Sequence, residues 1–227
     1  VTVEAPSSPE DFELLPMWYE LAGVETEPGE AVGAVERFQK AFEAGYLGAA
    51  SGKSFRGNLK TLVSLPPGIQ WYFARMAVRV LRLNGEPIGM LVMGSHQRLW
   101  NKLHDLMSGD EALEQIGEFA PSFQNFVVGA LLTAKVHVVA VHPDHQGRGH
   151  GSRLLRQAHQ IAGLDGLKMV YGQFETRRSG LRKFYSENGF KVLDAGAPLR
   201  IELVTGRRGE KIGGLPTETF FVWEASG

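Results

Sequence analysis

Cysteine is absent from this chain of 227 residues. That absence excludes disulfides, thiolate metal sites and a cysteine nucleophile together. No run of about 18 or more apolar residues occurs, so no segment is expected to span a membrane. The opening Val1-Thr2-Val3-Glu4-Ala5 lacks the basic-then-apolar order of a signal peptide, and a cytoplasmic protein is the expectation. A strong net charge is also missing. The formal value of −1 argues against a general nucleic-acid binder. Internal repeats, low-complexity tracts and a Pro/Gly/Ser linker between balanced halves are not seen. With 43% hydrophobic residues, the length fits one globular domain, residues 1–227, with a sizeable core.

The near-neutral total hides an asymmetry. Residues 1–43 carry ten acidic side chains against only Arg37 and Lys40, a net of −8 that leaves +7 for the remainder. Either these charges decorate the solvated faces of early helices, or the basic part holds an anionic cofactor while the acidic part draws in a cationic acceptor.

What is present in force is glycine, concentrated to effect in Gln146-Gly147-Arg148-Gly149-His150-Gly151. An alternating apolar strand, 133–142, runs into this turn, and a helix from about Gly149 to Ala162 follows directly. Small residues let several backbone N–H groups point at one spot, and the helix N-terminus adds the positive end of its dipole. Such a turn is suited to a phosphate. It also sits where a strand's C-terminal end meets a helix, the usual ligand edge of an α/β sheet.

Around it the periodicity predicts a short strand over Val1–Ala5 and a helix after Ser7-Ser8-Pro9, which Pro16 shortens or bends. A second helix is expected over about Ala31–Tyr46, and 48–70 reads as a long connection. Tyr72–Leu83 and Pro87–Met93 form a hairpin about Asn84-Gly85. Residues 95–131 read as an inserted helical segment. Leu167–Phe174 is a strand, Arg177–Asn188 a helix stopped by Gly189, and 199–205 and 218–224 are two further strands. The fold class is α/β, an α+β mixed sheet.

Three familiar patterns fail on spacing. Ser51-Gly52-Lys53-Ser54 resembles a nucleotide loop, but the glycine required five positions before the Gly-Lys pair is Leu47. A dinucleotide fingerprint needs Gly-x-Gly-x-x-Gly rather than Gly-x-Gly-x-Gly, and the nearest candidate for its ribose-binding acid is Glu175. His142 and His145 straddle a Pro-Asp turn without further ligands at zinc spacing, so no metal is expected.

The block Gln146–Gly151 matches the (Gln/Arg)-x-x-Gly-x-(Gly/Ala) signature of the GNAT N-acetyltransferase superfamily. Phe184-Tyr185-Ser186-Glu187-Asn188-Gly189-Phe190 resembles that family's second motif, Tyr-x-x-x-Gly-Phe. The resemblance covers about residues 71–194, with 133–194 as the acetyl-CoA-binding core, and implies a GNAT fold with 95–131 inserted between the hairpin and the cofactor strand. It further implies transfer of an acetyl group from acetyl-CoA, without a metal, to a primary amine by direct attack in a ternary complex. The acceptor, a small molecule or a peptide amine, would meet the strand and helices of 1–60. Cofactor contacts map to Val139, Ala140, Val141, Gln146, Gly147, Arg148, Gly149, His150, Gly151, Ser152 and Arg153, and the N–H of Val141 matches the group facing the thioester carbonyl.

For the chemistry, Tyr185 corresponds to the acid that protonates the departing thiolate, its alternative being an aromatic packed under the cofactor. A tyrosine with an ordinary pKa of about 10 is protonated at neutral pH. His137 resembles the position of a histidine base in aralkylamine-type members, with a core histidine as its alternative. Glu175 and ordered water compete for the role. His137 would share a face with Val139 and Val141 unless a bulge shifts the parity. The chain departs from the pattern at Arg178, where asparagine is frequent, and at Leu181, which replaces a small residue. The insertion, with Trp100, Phe119, Phe123 and Phe126, is read as a lid over the acceptor pocket, as core packing or as a homodimer interface. A non-catalytic acyl-CoA sensor, or transfer of a larger acyl group such as succinyl, are the rival functions.

Overall fold

The Asn84-Gly85 pair joins strands β2 (Ala77–Leu83) and β3 (Glu86–Gly94) in a two-residue turn, both residues having positive φ (53° and 92°). A computed structural model describes residues 1–24, 30–65, 71–95, 128–202 and 208–225. The bulk of the 95–131 insertion lies outside them, and of it only Ser95 and the helical residues 128–131 are described. The remaining elements are β1 (Thr2–Glu4), α1 (Leu15–Ala22), α2 (Glu30–Glu43), α3 (Phe55–Val63), α4 (Trp71–Ala74), β4 (Thr133–Val141), α5 (His150–Asp165), β5 (Met169–Glu175), α6 (Gly180–Glu187), β6 (Lys191–Val192), β7 (Leu199–Arg200), β8 (Lys211–Ile212) and β9 (Glu218–Glu224).

Seven strands form one sheet in the order β1-β2-β3-β4-β5-β9-β6. Every pairing is antiparallel except β4 with β5. In α5, Leu154, Leu155, Ala158, Ile161 and Ala162 recur at helical spacing and are buried. With Tyr185 and Phe190 they cover one face of the sheet. Phe12, Leu15, Trp18 and Phe38 from the N-terminal segment cover the other. Full burial of each such side chain contributes about 1.5–3 kcal/mol. Among the described residues no helix is long and apolar enough to cross a membrane.

Several expectations shift. The first helix divides into a short 3-10 turn, Pro9–Phe12, and α1, where Pro16 occupies the first turn and removes no intrahelical bond. The connection 48–70 contains α3, capped by Ser54, which accepts from the N–H of Gly57. Tyr72 belongs to α4 rather than to the hairpin. The strand expected over 199–205 is reduced to Leu199–Arg200, which pairs with Lys211–Ile212 in a separate two-stranded sheet; residues 203–207 lie outside the described set.

The loop that imitates a nucleotide site does hold an anion, but one supplied by the chain. The N–H groups of Gly52 and Lys53 donate to Asp165 Oδ1 at 2.5 and 3.2 Å, and Ser51 Oγ donates to Oδ2 at 3.2 Å. Arg75 completes the cluster at 3.3 Å, with 3% and 2% of the two side chains exposed. Its guanidinium also donates to the carbonyls of Ala50 and Leu131, each at 3.0 Å. The end of α5, the start of β2 and the approach to β4 are thereby tied at one buried ion pair.

Candidate active site

Strands β4 and β5 pair over only three positions, Thr133–Lys135 against Met169–Tyr171. Beyond them β4 stays with β3 and β5 with β9, so the sheet opens into a cleft. The cause lies at His137. Val92 faces Val138 whereas Met93 faces Val136, making His137 the extra residue of a bulge, which bends and twists its strand. The alternation of side chains breaks there too. Val136, Val139 and Val141 pack on the α5 side, and Val138 and Ala140 on the α1 side. His137 therefore does not share a simple face with Val139 and Val141, the parity change that a bulge was expected to bring.

The N–H of His142 donates to the carbonyl of Ile88 at 2.9 Å. In an antiparallel pair successive residues point their polar groups to opposite edges. The N–H groups of Val141 and Val139 thus face away from β3, into the gap. The carbonyl of Val141 accepts from Gln146 Nε2 at 2.9 Å, which anchors the glycine turn to the strand end.

Gly147 and Gly149 take φ of 72° and 75°, conformations that L side chains rarely adopt. Gly149 caps α5, whose first backbone bond beyond the cap runs from the Arg153 N–H to the Gly149 carbonyl at 3.2 Å. The N–H groups of His150, Gly151 and Ser152 have no partner within the helix, as in any first turn. Burial, together with the charges of Arg153 and Arg148, holds the imidazole of His150 below the usual histidine range. An electropositive turn with open N–H groups suits a phosphate. Gly151 also permits close approach of α6, since a Cβ there would meet the Phe184 ring at 3.0 Å.

A cavity of about 920 Å³ follows the gap. It brings together His137, Val139, Val141, Gln146, Gly147, Gly149, His150, Gly151, Ser152, Glu175 and Tyr185 from the sequence reading. Ala140, Arg148 and Arg153 do not line it. Ala140 packs on the opposite face, Arg148 is exposed, and Arg153 reaches towards the carbonyl of Val1 at 3.5 Å.

Tyr185 is 7% exposed and stacks on Phe221, with its phenol pushed above the ordinary tyrosine value by burial. His137 Nε2 lies 3.1 Å from the carbonyl of Ser95. A carbonyl only accepts, so Nε2 carries the proton and the basic lone pair resides on Nδ1. Glu175 is gripped by Arg177 through two contacts, 3.0 and 2.9 Å, which hold its carboxyl below the usual range. That grip makes Glu175 a weaker base than an ordinary carboxylate.

Three lining residues carried no functional signal in the sequence: Tyr19, Tyr72 and Phe221. The rings of Tyr72 and His137 meet edge-on at 6.2 Å. From the N-terminal segment the cleft receives Tyr19 and the stretch Leu21–Val24, and none of the acids in residues 1–24.

A model of the acetyltransferase (GNAT) domain matches residues 74–192, more than half of the chain. Among solved structures, an acetyltransferase from Salmonella typhimurium with acetyl-CoA is 16% identical, with 100% of this chain and 94% of that chain covered and a TM-score of 0.53. A ribosomal-protein-alanine N-acetyltransferase from Brucella melitensis is 13% identical, with 99% and 100% covered and a TM-score of 0.52. These likenesses concern the fold. No curated protein sequence matches the chain. With the family model spanning the splayed strands, the glycine turn and the helix that bears Tyr185, the chain belongs to the GNAT acetyltransferases.

Proposed function

We propose that this protein is an N-acetyltransferase that moves an acetyl group from acetyl-CoA to a primary amine within a ternary complex. One observation carries the reading. The open amides of the α5 turn, the inward N–H groups of β4 and the phenol of Tyr185 line a single cleft.

Amides of Gly147–Ser152 hold the diphosphate of the carrier, with Arg148 and Arg153 adding to the field around it. The Val141 N–H donates to the thioester oxygen as negative charge develops there. The amine lone pair attacks the carbonyl carbon, a C–N bond forms and the C–S bond breaks. Tyr185 gives its proton to the departing sulfur, and the proton lost by the amine passes to His137 Nδ1, which the Ser95 contact orients. Glu175 and Glu218, which line the cleft, favour an acceptor that is cationic in solution.

Calorimetric titration with acetyl-CoA, followed by thiol release over a panel of amines, tests the reading. Binding with turnover on amines supports it. No affinity for coenzyme A overturns it. Tight binding without turnover on any amine replaces it with an acyl-CoA sensor, and faster turnover with succinyl-CoA replaces the acetyl donor.

A further inference from the structure

Arg178 stands at the edge of the cleft in an arrangement that the transfer reaction itself does not require. It is half-buried and lines the cavity beside Tyr185. Its Nη2 crosses to the end of α1 and donates to the carbonyl of Leu21 at 2.9 Å. Nη1 lies against Gly23, where a Cβ would approach it to 2.6 Å and where φ is 74°. A guanidinium carries several further N–H donors in a planar fork that matches a carboxylate.

The two carboxylates that line the same cavity are already engaged. Glu175 is bound by Arg177, and Glu218 accepts from Gln173 Nε2 at 2.7 Å and from the Leu215 N–H at 3.2 Å. No carboxylate among the described residues forms an ion pair with Arg178. A half-buried charge facing a cavity with a single neutral acceptor is matched best by an anion that arrives with the ligand.

Building on the acetyl-transfer reading, we infer that Arg178 recognises a carboxylate on the acceptor, so that the substrate class is amines that also carry a carboxylate near the nitrogen, as amino acids do. The ammonium end then meets the β4 side of the cleft with His137, and the carboxylate end meets Arg178 on the β5 side. Arg178, in the β5–α6 turn and anchored on a carbonyl at the end of α1, holds the carboxylate between two walls.

The test compares amino acids with their decarboxylated amines and their methyl esters, in the wild-type protein and in Arg178→Gln and Arg178→Lys. The expected result is a wild-type kcat/KM at least about tenfold higher for the free carboxylates, the scale of one charge-assisted hydrogen bond. Arg178→Gln removes that preference, lowering kcat/KM for the free carboxylates at least about tenfold more than for the decarboxylated amines, and Arg178→Lys retains part of it. Affinity for acetyl-CoA by calorimetry stays unchanged in both variants. Equal loss on all acceptors overturns the inference, as does a wild type indifferent to the carboxylate. Weakened acetyl-CoA binding assigns Arg178 to the cofactor instead and overturns it too. Turnover on amines with no carboxylate preference sinks only the inference, whereas no turnover on any amine sinks the transfer reading and the inference with it.

Discussion

The rings of Tyr185 and Phe221 lie stacked, their centroids 3.6 Å apart and their planes 11° from parallel. Phe221 is in β9 and Tyr185 in α6, so a strand that enters the sheet late in the chain sets the orientation of the proposed acid. Phe174 adds a further ring at 5.6 Å. Buried aromatic pairs of this kind contribute about 0.5–1.5 kcal/mol beyond area burial and restrict rotation.

Replacing Tyr185 by Phe keeps the stack and removes only the hydroxyl. Steady-state kinetics should show kcat lowered about 100-fold or more, with affinity for acetyl-CoA unchanged. Burial raises the phenol's pKa and the nearby Arg178 charge lowers it, with the burial effect larger. A raised value keeps the hydroxyl protonated to higher pH. The wild-type rate should therefore rise with pH as the acceptor amine loses its proton, with no alkaline decline below about pH 10. An alkaline limb near neutrality, or full activity in the Phe variant, would remove Tyr185 from the mechanism.

Gly172 should be intolerant of even one methyl group. A Cβ at this point of β5 would overlap the Phe221 ring. Gly172→Ala is expected to cost about 1–3 kcal/mol in urea unfolding and to lower kcat as Phe221 and Tyr185 move together. Combining it with Phe221→Leu should recover stability but not kcat. Recovery of both would mean that the stack has no part in positioning the hydroxyl.

The buried Arg75–Asp165 pair predicts a stability effect without a catalytic one. Asp165→Asn leaves the Arg75 charge uncompensated at a site where burial already lowers its pKa and Asp165 opposes that. Loss of about 3–5 kcal/mol is expected in denaturant titration. Joint replacement of both residues by apolar ones should cost less than the single change. Acetyl-CoA affinity of the folded protein should not change.

Acid sensitivity should trace in part to Asp11. Burial would raise its pKa, yet the Ser7 N–H, at 2.7 Å, and the guanidinium of Arg82 outweigh that, and the net shift is downward. A depressed carboxylate contributes stability that is complete above its unfolded pKa, about 3.9, and is lost as pH falls through the lower folded value. Unfolding free energy measured from pH 5 downward should decline less steeply in Asp11→Asn than in the wild type. Parallel curves would contradict this assignment.

Much of this was legible from residue order because the relevant signals are local. Asn84-Gly85 dictates a tight turn, and Gln146–Gly151 dictates open amides ahead of a helix, whatever the rest of the chain does. The bulge at His137 was not legible, since it depends on the pairing partner in β3. Nor was the place of β9 between β5 and β6, which brings Phe221 beneath Tyr185 across a wide sequence separation. Tyr72 read as strand because its neighbours are apolar and β-prone, but α4 packs it against Phe73 and His137. Glu175 competes with His137 for the role of base in the sequence, and the grip of Arg177, two positions away, depends on side-chain geometry that the spacing does not disclose.

The rungs left unfilled between β4 and β5 belong to the main chain, and main-chain donors survive almost any exchange of side chains. Mutational drift can therefore recontour the walls for a new acceptor while the handle for the carrier persists. A seam in a ladder makes substrate choice and donor binding separately adjustable.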